Sequence, residues 1–520
     1  MQQRQRIFGL QDVLALLAVI SLTAVQMTGF ARDPGVGWHL ANGEYVLKHE
    51  TVPQTDPFLF SPHPRPWISD QWLADVLLFT SYAAGAWPLV YGFLAATYLA
   101  TFYAILYPMT VRLTGAPLMA ATFTLLAFKL GQLHFILRPV IFGFFCFAIL
   151  CALLWRREIN VRTAAASKRW SVPFEIYLLP LFIVWANLHP SFVLGLLLLA
   201  LRALGIALDC TARRNTATIL PPLGARIREL LCGALGSCIN PNGLELHRSI
   251  VALGSDRFFM TYHEEWLPPD PTNGVGLVLL VTCLIGSISG LTERKPRSFS
   301  SFELLVFLIF GYLAFSSVRM VPFFGIVMAV PFARSVANHT VIGPTSRGWR
   351  GALRQAWLGL SLKENTRSRG IITTLIVCAL LIVDPLIRGR VGPFAGPFGP
   401  PPAEFPYGAV EFLRKSATPR TPSVVVAPPK WGGFITWRGG EFVRPIIDDR
   451  NTMLGADFYR EYERALETKE LFKQFMFDRN ATVALLPHDL SITATLLNEP
   501  EFRSVYTDAT GVIYEFRPSP

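Results

Sequence analysis

The sequence predicts a mainly α-helical, polytopic membrane protein that ends in a small extracytoplasmic α/β domain. Three observations predict it. Hydrophobic residues make up 52% of the 520 and charged residues only 16%, against about 25% charged in an ordinary soluble domain. Apolar runs of the length that crosses a bilayer, about 17–25 residues, recur between short polar loops. Beyond residue 388 the runs stop and a segment of ordinary soluble character follows.

The elements justify themselves in order. A basic start with Arg4 and Arg6 precedes the apolar run Leu10 to Phe30. That run is too long for a secretory leader and no small-x-small cleavage site follows it, so it reads as a retained first span. About eleven spans are expected, near 10–30, 87–109, 117–134, 139–155, 173–188, 191–208, 226–239, 273–291, 301–317, 319–334 and 370–387. With a long first outer loop over 31–86, they make a membrane domain of residues 1–387. Two amphipathic helices are expected in that loop, in "GVGWHLANGEYVLKH" and "SDQWLADVLLFTSYAAG", lying along the interface. "RGRVGPFAGPFGPPPAEFP" is too rich in Gly and Pro to continue a helix and serves as a linker over 388–405. In 406–520, "SVVVA", "RPIIDD", "ATVALL", "FRSVYTD" and "GVIYEF" read as short strands. "ADFYREYERALETKELFKQFMFD" reads as one amphipathic helix. "WGG" at Trp431–Gly433 looks like a strand-turn and "DDR" at Asp448–Arg450 like a strand end. This domain is expected to act as a lid or an acceptor-docking module.

Charge gives the sidedness. One set of alternate loops holds Arg112, Arg156, Arg157, Arg162, Lys168, Arg169, Arg213, Arg214, Arg226, Arg228, Arg294, Lys295, Arg297 and the run from Arg334 to Arg369. Cytoplasmic loops retain Lys and Arg, so this set and the N-terminus face the cytosol and the C-terminal domain lies outside. A bacterial inner membrane is the expected location. The net charge of +11 therefore marks orientation. A nucleic-acid partner would need a recognition module or aromatic interleaving, and neither is present. The seven cysteines fall in or near apolar runs without a CxxC pair; they read as small hydrophobes, giving neither a disulfide framework nor a metal site.

The outward segments carry the chemistry. They hold Asp33, His39, Asp56, Asp70 and Gln71, then His134 and Arg138, Asn187 and His189, Asn240, Glu265 and Arg319. Each has an ordinary reading: a histidine at a span end as an interfacial group, "NPNG" as a turn, tryptophans as an aromatic belt. Together they fall at one mouth, whereas a transporter distributes such groups near mid-depth on broken helices. An Asp at the lip of a membrane cavity is poised as a general base. Arg138, Arg319, His134 and His189 can receive the charge of a phosphate leaving group, and a divalent cation is one candidate cofactor for the same task. These residues describe sugar transfer from a polyprenyl-phosphate carrier to a glycan, lipid or protein acceptor, with Asp33 and Glu265 as catalytic carboxylates and the others binding substrate. A catalytically degenerate scaffold or assembly subunit, and a lipid or glycan transporter, are the alternatives.

One family shares these motifs. "DPGVGWHLANGEYVLKHETVPQTDPFLFS" followed by "PWISDQWLADVLL" resembles the first outer loop of bacterial membrane proteins related to the C-type (GT-C) glycosyltransferases. Asp33, Trp38, His39, Leu40, Gly43, Pro53, Thr55, Asp56, Pro57, Phe58, Trp72 and Leu73 carry the likeness. Arg138 with its following Pro, "WANLHPSF", "NPNGLEL" and Glu265–Trp266 extend it through the membrane part. The resemblance implies a GT-C-like fold, a polyprenyl-phosphate-linked donor for hexosyl or pentosyl transfer, and catalysis by Asp33. Two segments depart from the family pattern: Asp70-Gln71-Trp72-Leu73 stands for His-Glu-Trp-Leu, and Asn187-Leu188-His189-Pro190-Ser191 for Asn-Leu-His-Gly-Gly.

Overall fold

A computed structural model describes residues 31–162, 173–212, 220–262, 264–272, 274–292, 299–342 and 399–517, with positions 13 and 17. The expected spans at 10–30 and 370–387, and much of the basic loop sequence, lie outside these residues.

The first outer loop folds as an isolated bridge and two helices. Val36–His49 is the first helix. It is not an interface-lying helix: Val36, Trp38, Leu40 and Val46 are all buried, packed on Trp72–Leu99 and on the C-terminal helix Pro429–Gly439. The second expected helix begins at Trp72 and runs through to Leu99 with a break at Gly85 and Ala86. Ala86 has φ +53 there, and Pro88 follows. Pro cannot donate the helical hydrogen bond, so the break divides the loop helix from the apolar part.

The apolar helices share one core in which aromatic rings meet among Leu, Ala, Val and Ile side chains. Among the described residues, Trp72–Thr114, Phe192–Asp209 and Val318–Asn338 are long and apolar enough to cross a membrane by length and composition. Val140–Arg156, Glu175–Leu188, Gly274–Ile288 and Ser301–Ser316 are apolar but shorter. The pairs expected at 173–208 and at 301–334 are each two helices, with the second pair joined through a 3-10 turn, Val318–Met320. The segment expected as a span at 226–239 differs. It lies in the helix Leu220–Ser237, where Glu229 is buried between Arg202 at 2.8 Å and Arg226 at 2.5 Å. Arg226 is therefore a paired helical residue instead of a loop charge.

The C-terminal part forms a five-stranded sheet. The strands are β1 (Ser423–Val426), β2 (Val443–Pro445), β3 (Val483–Pro487), β4 (Phe502–Thr507) and β5 (Gly511–Phe516), in the order β2-β1-β3-β5-β4. β1 runs parallel to β2 and to β3, while β5 pairs antiparallel with β3 and β4. Side chains alternate across a strand. Val424, Val426, Ala484 and Leu486 therefore join one core with Phe472, Phe475 and Met476, and Val425, Leu485 and Ile513 join another with Trp431, Phe434 and Ile435. Two local expectations change. "WGG" lies within the helix Pro429–Gly439, which carries the chain from β1 to β2. The single helix expected over 456–478 is two, Ala456–Ala465 and Lys469–Asp478, because Thr468 accepts from the Leu471 N–H and starts a new helix.

Candidate functional site

The site grows from the turn that precedes the first helix. The Gly35 N–H donates to Asp33 Oδ1 at 2.9 Å, which fixes the carboxyl group just outside the helix start. Asp33 is buried, its side chain 3% exposed, and its other oxygen pairs with Arg138 Nε. Burial raises the Asp33 pKa and outweighs the opposing pull of Arg138. One turn along, the imidazole of His39 meets Asp75 at 2.6 Å, and Asn42 donates to the second Asp75 oxygen at 2.6 Å. Gly43 permits this packing, since a Cβ there would sit 2.1 Å from the Asp75 carbonyl oxygen.

Arg138 is held from two sides. It lies on the turn before Val140–Arg162, paired with Asp33 and with Glu265. Glu265 also stands 3.9 Å from Arg319. Burial opposes the charge on Glu265, but the two guanidinium groups prevail and hold its pKa at about 2. Arg319 stacks on Trp266 with 4.9 Å to the ring centroid. His189 accepts the Ser191 N–H on Nδ1 at 3.1 Å, which leaves Nε2 as the protonated nitrogen of a neutral ring. Burial drives its pKa well below the usual range, so His189 is a neutral hydrogen-bond donor. A glycine at 143 makes its seat: a Cβ there would come within 2.3 Å of Ser191 Oγ.

A cavity of about 360 Å³ joins these groups. Asp33, His39, Asp70, Gln71, Arg138, His189 and Arg319 line it, and Val140, Val193, Leu194, Ile250 and Phe323 supply apolar wall. Burial raises the Asp70 pKa to about 6. The remaining expected residues lie elsewhere. Glu265 stands behind Arg138, outside the cavity lining, and its neighbour His263 is outside the described residues. His134 is buried beside the cavity. Asn187 accepts from the Trp72 indole at 2.7 Å and donates to two backbone carbonyls, of Ile183 and Ile239. Asn240 closes its turn by bonding Ser237, Asn242 and Gly243. Asp56 takes the N–H groups of Phe58 and Leu59 and pairs with Arg450 at 2.9 Å. These three are structural in their contacts, short polar side chains closing backbone turns and an ion pair.

The C-terminal part completes the wall; the sequence suggests a lid or acceptor-docking module there, but marks Asp448–Arg450 only as a strand end. Asp449, Arg450, Asn451 and Thr452 line the same cavity. Asp449 accepts from the Trp38 indole at 3.0 Å, and burial together with the nearby Asp33 raises its pKa to about 7. Arg450 binds Asp448 at 2.7 Å as well as Asp56, and lies 4.5 Å above the Trp67 ring. Close backbone contact sets this approach: a Cβ on Gly37 would lie 1.9 Å from the Gly433 carbonyl oxygen. Two signals could have found these residues. Paired carboxylates followed by Arg stand just past a parallel strand's carboxyl end, where α/β sheets place ligands. Asp75 is a lone carboxylate at the start of an apolar helix, and such a group needs a partner.

The donor atoms are committed to protein partners. Both Asp33 oxygens, both Glu265 oxygens and the His39 Nδ1 are engaged as described, and a guanidinium already bridges the two carboxylates. The arrangement does not fit a divalent cation at Asp33. Among the described residues there is no group of three or more His, Cys, Asp or Glu placed to hold a metal ion.

Known structures share the arrangement of the chain. The archaeal oligosaccharyltransferase AglB from Archaeoglobus fulgidus, in complex with an inhibitory peptide and a dolichol-phosphate, superposes with a TM-score of 0.58 at 11% identity, covering 98% of this chain and 74% of that one. The fold is of the GT-C type. The same enzyme tethered to an acceptor peptide containing the NVT sequon gives 0.55, again at 11% identity with 98% and 74% covered. ArnT from Cupriavidus metallidurans in the apo state gives 0.49 at 12% identity, covering 97% and 96%. No protein-family model matches the chain, and no curated protein matches it in sequence. The GT-C fold therefore rests on shape together with the helices apolar enough to cross a membrane.

Proposed function

We propose that the protein transfers a sugar from a polyprenyl-phosphate carrier to an acceptor at the extracytoplasmic face of a bacterial inner membrane, with Asp33 as the general base. The N-terminus is then cytoplasmic and the C-terminal sheet extracytoplasmic. One observation carries the reading: buried Asp33 and half-buried Arg138 form an ion pair in the wall of a cavity that has cationic and neutral donors on one side and apolar side chains on another. That combination suits a lipid phosphate, whose head needs charge and whose chain needs hydrocarbon. The AglB structure of the same fold was solved with dolichol-phosphate, a carrier of this class.

The chemistry follows from the partners. The phosphate of the donor competes with Asp33 for Arg138, and as the guanidinium turns to the phosphate, Asp33 becomes the stronger base. The acceptor O–H or N–H gives its proton to Asp33 while the acceptor atom bonds the anomeric carbon. The anomeric carbon–oxygen bond breaks and its electron pair goes to the phosphate oxygen, where Arg138, Arg319 and the neutral His189 donor receive the charge. Glu265 acts by holding Arg138 and Arg319. These groups lie on turns between helices instead of broken helices at mid-depth, which favours surface chemistry over transport.

Asp33→Asn tests the reading. In cells whose only copy carries the variant, mass spectrometry of envelope glycans and glycolipids should show one product reduced by about 10²–10⁴, the usual worth of a positioned base. An unchanged product profile would refute it.

A further inference from the structure

The cavity has a wall that belongs to the C-terminal sheet, and that wall carries its own polar groups. Asp449 Oδ2 and Asp33 Oδ1 both lie within 3.2 Å of the point a Gly35 Cβ would occupy. The two carboxyl groups thus face one another across a residue without a side chain. Trp38 fixes the other Asp449 oxygen from the first-loop helix, so the pair is held by two separate parts of the chain. Beside it, Arg450 has a side chain only 2% exposed, with Nε and Nη1 bound to Asp448 and Asp56. Its Nη2 is buried without a hydrogen-bond partner, on a residue that lines the cavity. That nitrogen is closed off from the cavity, on a guanidinium that lies among the rings of Trp38, Phe58 and Trp67, so Arg450 anchors the turn while Asp449 meets the cavity.

We propose that the segment Asp449–Thr452 lines the acceptor subsite, with the acceptor's nucleophilic O–H or N–H facing Asp33 and Asp449 receiving a second, adjacent O–H or N–H hydrogen of the same acceptor. This rests on the glycosyl-transfer reading and adds the half of the site that selects the acceptor. Position decides between acceptor and donor. The acceptor must present its proton to Asp33, so it meets Asp449, the carboxyl group opposite. The phosphate belongs with Arg138, Arg319 and His189. The acceptor class is a molecule with two adjacent O–H or N–H hydrogens, such as a vicinal diol or the NH2 of a side-chain amide. No new covalent step is added: the nucleophile's proton still leaves for Asp33, and Asp449 orients the acceptor through the second hydrogen, which stays in place.

The test uses the full chain in detergent and in cells. Asp449→Asn should bind undecaprenyl phosphate, measured by native mass spectrometry, within about twofold of the unchanged protein, while its cellular product falls roughly ten- to hundredfold, the worth of one charge-assisted hydrogen bond. Thr452→Arg changes an exposed residue at the cavity, leaves the fold in place and should likewise block the product without loss of lipid binding. Full product from either variant overturns the subsite, and so does loss of undecaprenyl phosphate binding, which would put Asp449 on the donor side. Asp33→Asn separates the two claims. If it abolishes product while Asp449→Asn does not, the subsite alone fails; if it leaves product intact, the glycosyl-transfer reading fails with it.

Discussion

Replacing Gly37 with Ala isolates how strongly the reaction geometry depends on the approach of the C-terminal sheet. The added Cβ would lie 1.9 Å from the Gly433 carbonyl oxygen, and ordinary contact begins near 3.4 Å, so the two helices must stand roughly 1.5 Å further apart. Both contact atoms belong to helix backbone and neither is the free end of a flexible side chain. Overpacking of this kind costs about 1–3 kcal/mol, offset in part by the roughly 1 kcal/mol by which Ala surpasses Gly within a helix. The fold therefore survives. Asp449 follows the helix that retreats, because β2 and the turn after it pack on Pro429–Gly439; a Cβ on Gly432 would itself lie 2.1 Å from the Ile447 carbonyl oxygen. A misplacement of about 1 Å in a reacting site costs on the order of 10²-fold. The assay is product yield by mass spectrometry beside thermal unfolding in detergent. The expected outcome is a melting temperature close to the original and product near 1% of it. Wild-type yield from Gly37→Ala would show that the Gly37–Gly433 contact does not set the site, and the reasoning would fall.

Two further outcomes concern stability. Asp56→Asn leaves Arg450 buried with Asp448 as its remaining carboxylate partner, and breaking a buried pair in this way should lower unfolding stability by about 3–5 kcal/mol in chemical denaturation; a change below about 1 kcal/mol would contradict the clamp. Asp70 gives a pH signature: its folded pKa of about 6 lies above the unfolded value of 3.8, so the folded state keeps a proton that the unfolded chain releases between those values. Its contribution is fully present below about pH 4 and is lost as pH climbs to 6, by at most about 3 kcal/mol. Asp70→Asn, which stays neutral, should remove that decline from a melting-temperature profile, and an unaltered profile would show that Asp70 does not titrate in this range.

Much of the site was legible because its residues announce themselves against an apolar background. Asp33, Asp70, Arg138, His189 and Arg319 stand out where charge is expensive, and the cavity gathers all five. Asp56, Asn187 and Asn240 were equally conspicuous, yet their short side chains close turns and fix neighbouring loops, a use that sequence alone does not separate from ligand binding. Asp449 was hidden for the opposite reason. In a stretch of soluble character a carboxylate is ordinary, and only the crossing at Gly37 and Gly433 brings it under the membrane loop. The split of the helix at Thr468 could be seen as a cap signal, whereas the helical state of Trp431–Gly433 could not, since two adjacent glycines disfavour a helix unless packing requires their smallness. The span count is the coarsest feature: hydropathy marks apolar segments, but Glu229 with its two arginines shows that a helix inside the bundle can carry charge.

The indole of Trp38 reaches a carboxylate 411 positions further along the chain, and this has a consequence for biosynthesis. A ribosome that has delivered every described membrane helix has still not made β2 or the turn beyond it. Until that turn emerges and docks, Asp33 has no facing carboxyl group and Arg450 is missing from beneath Trp67. A stalled or clipped chain therefore lacks one wall of the cavity even when its membrane helices are in place, and the site closes only with the final quarter of translation.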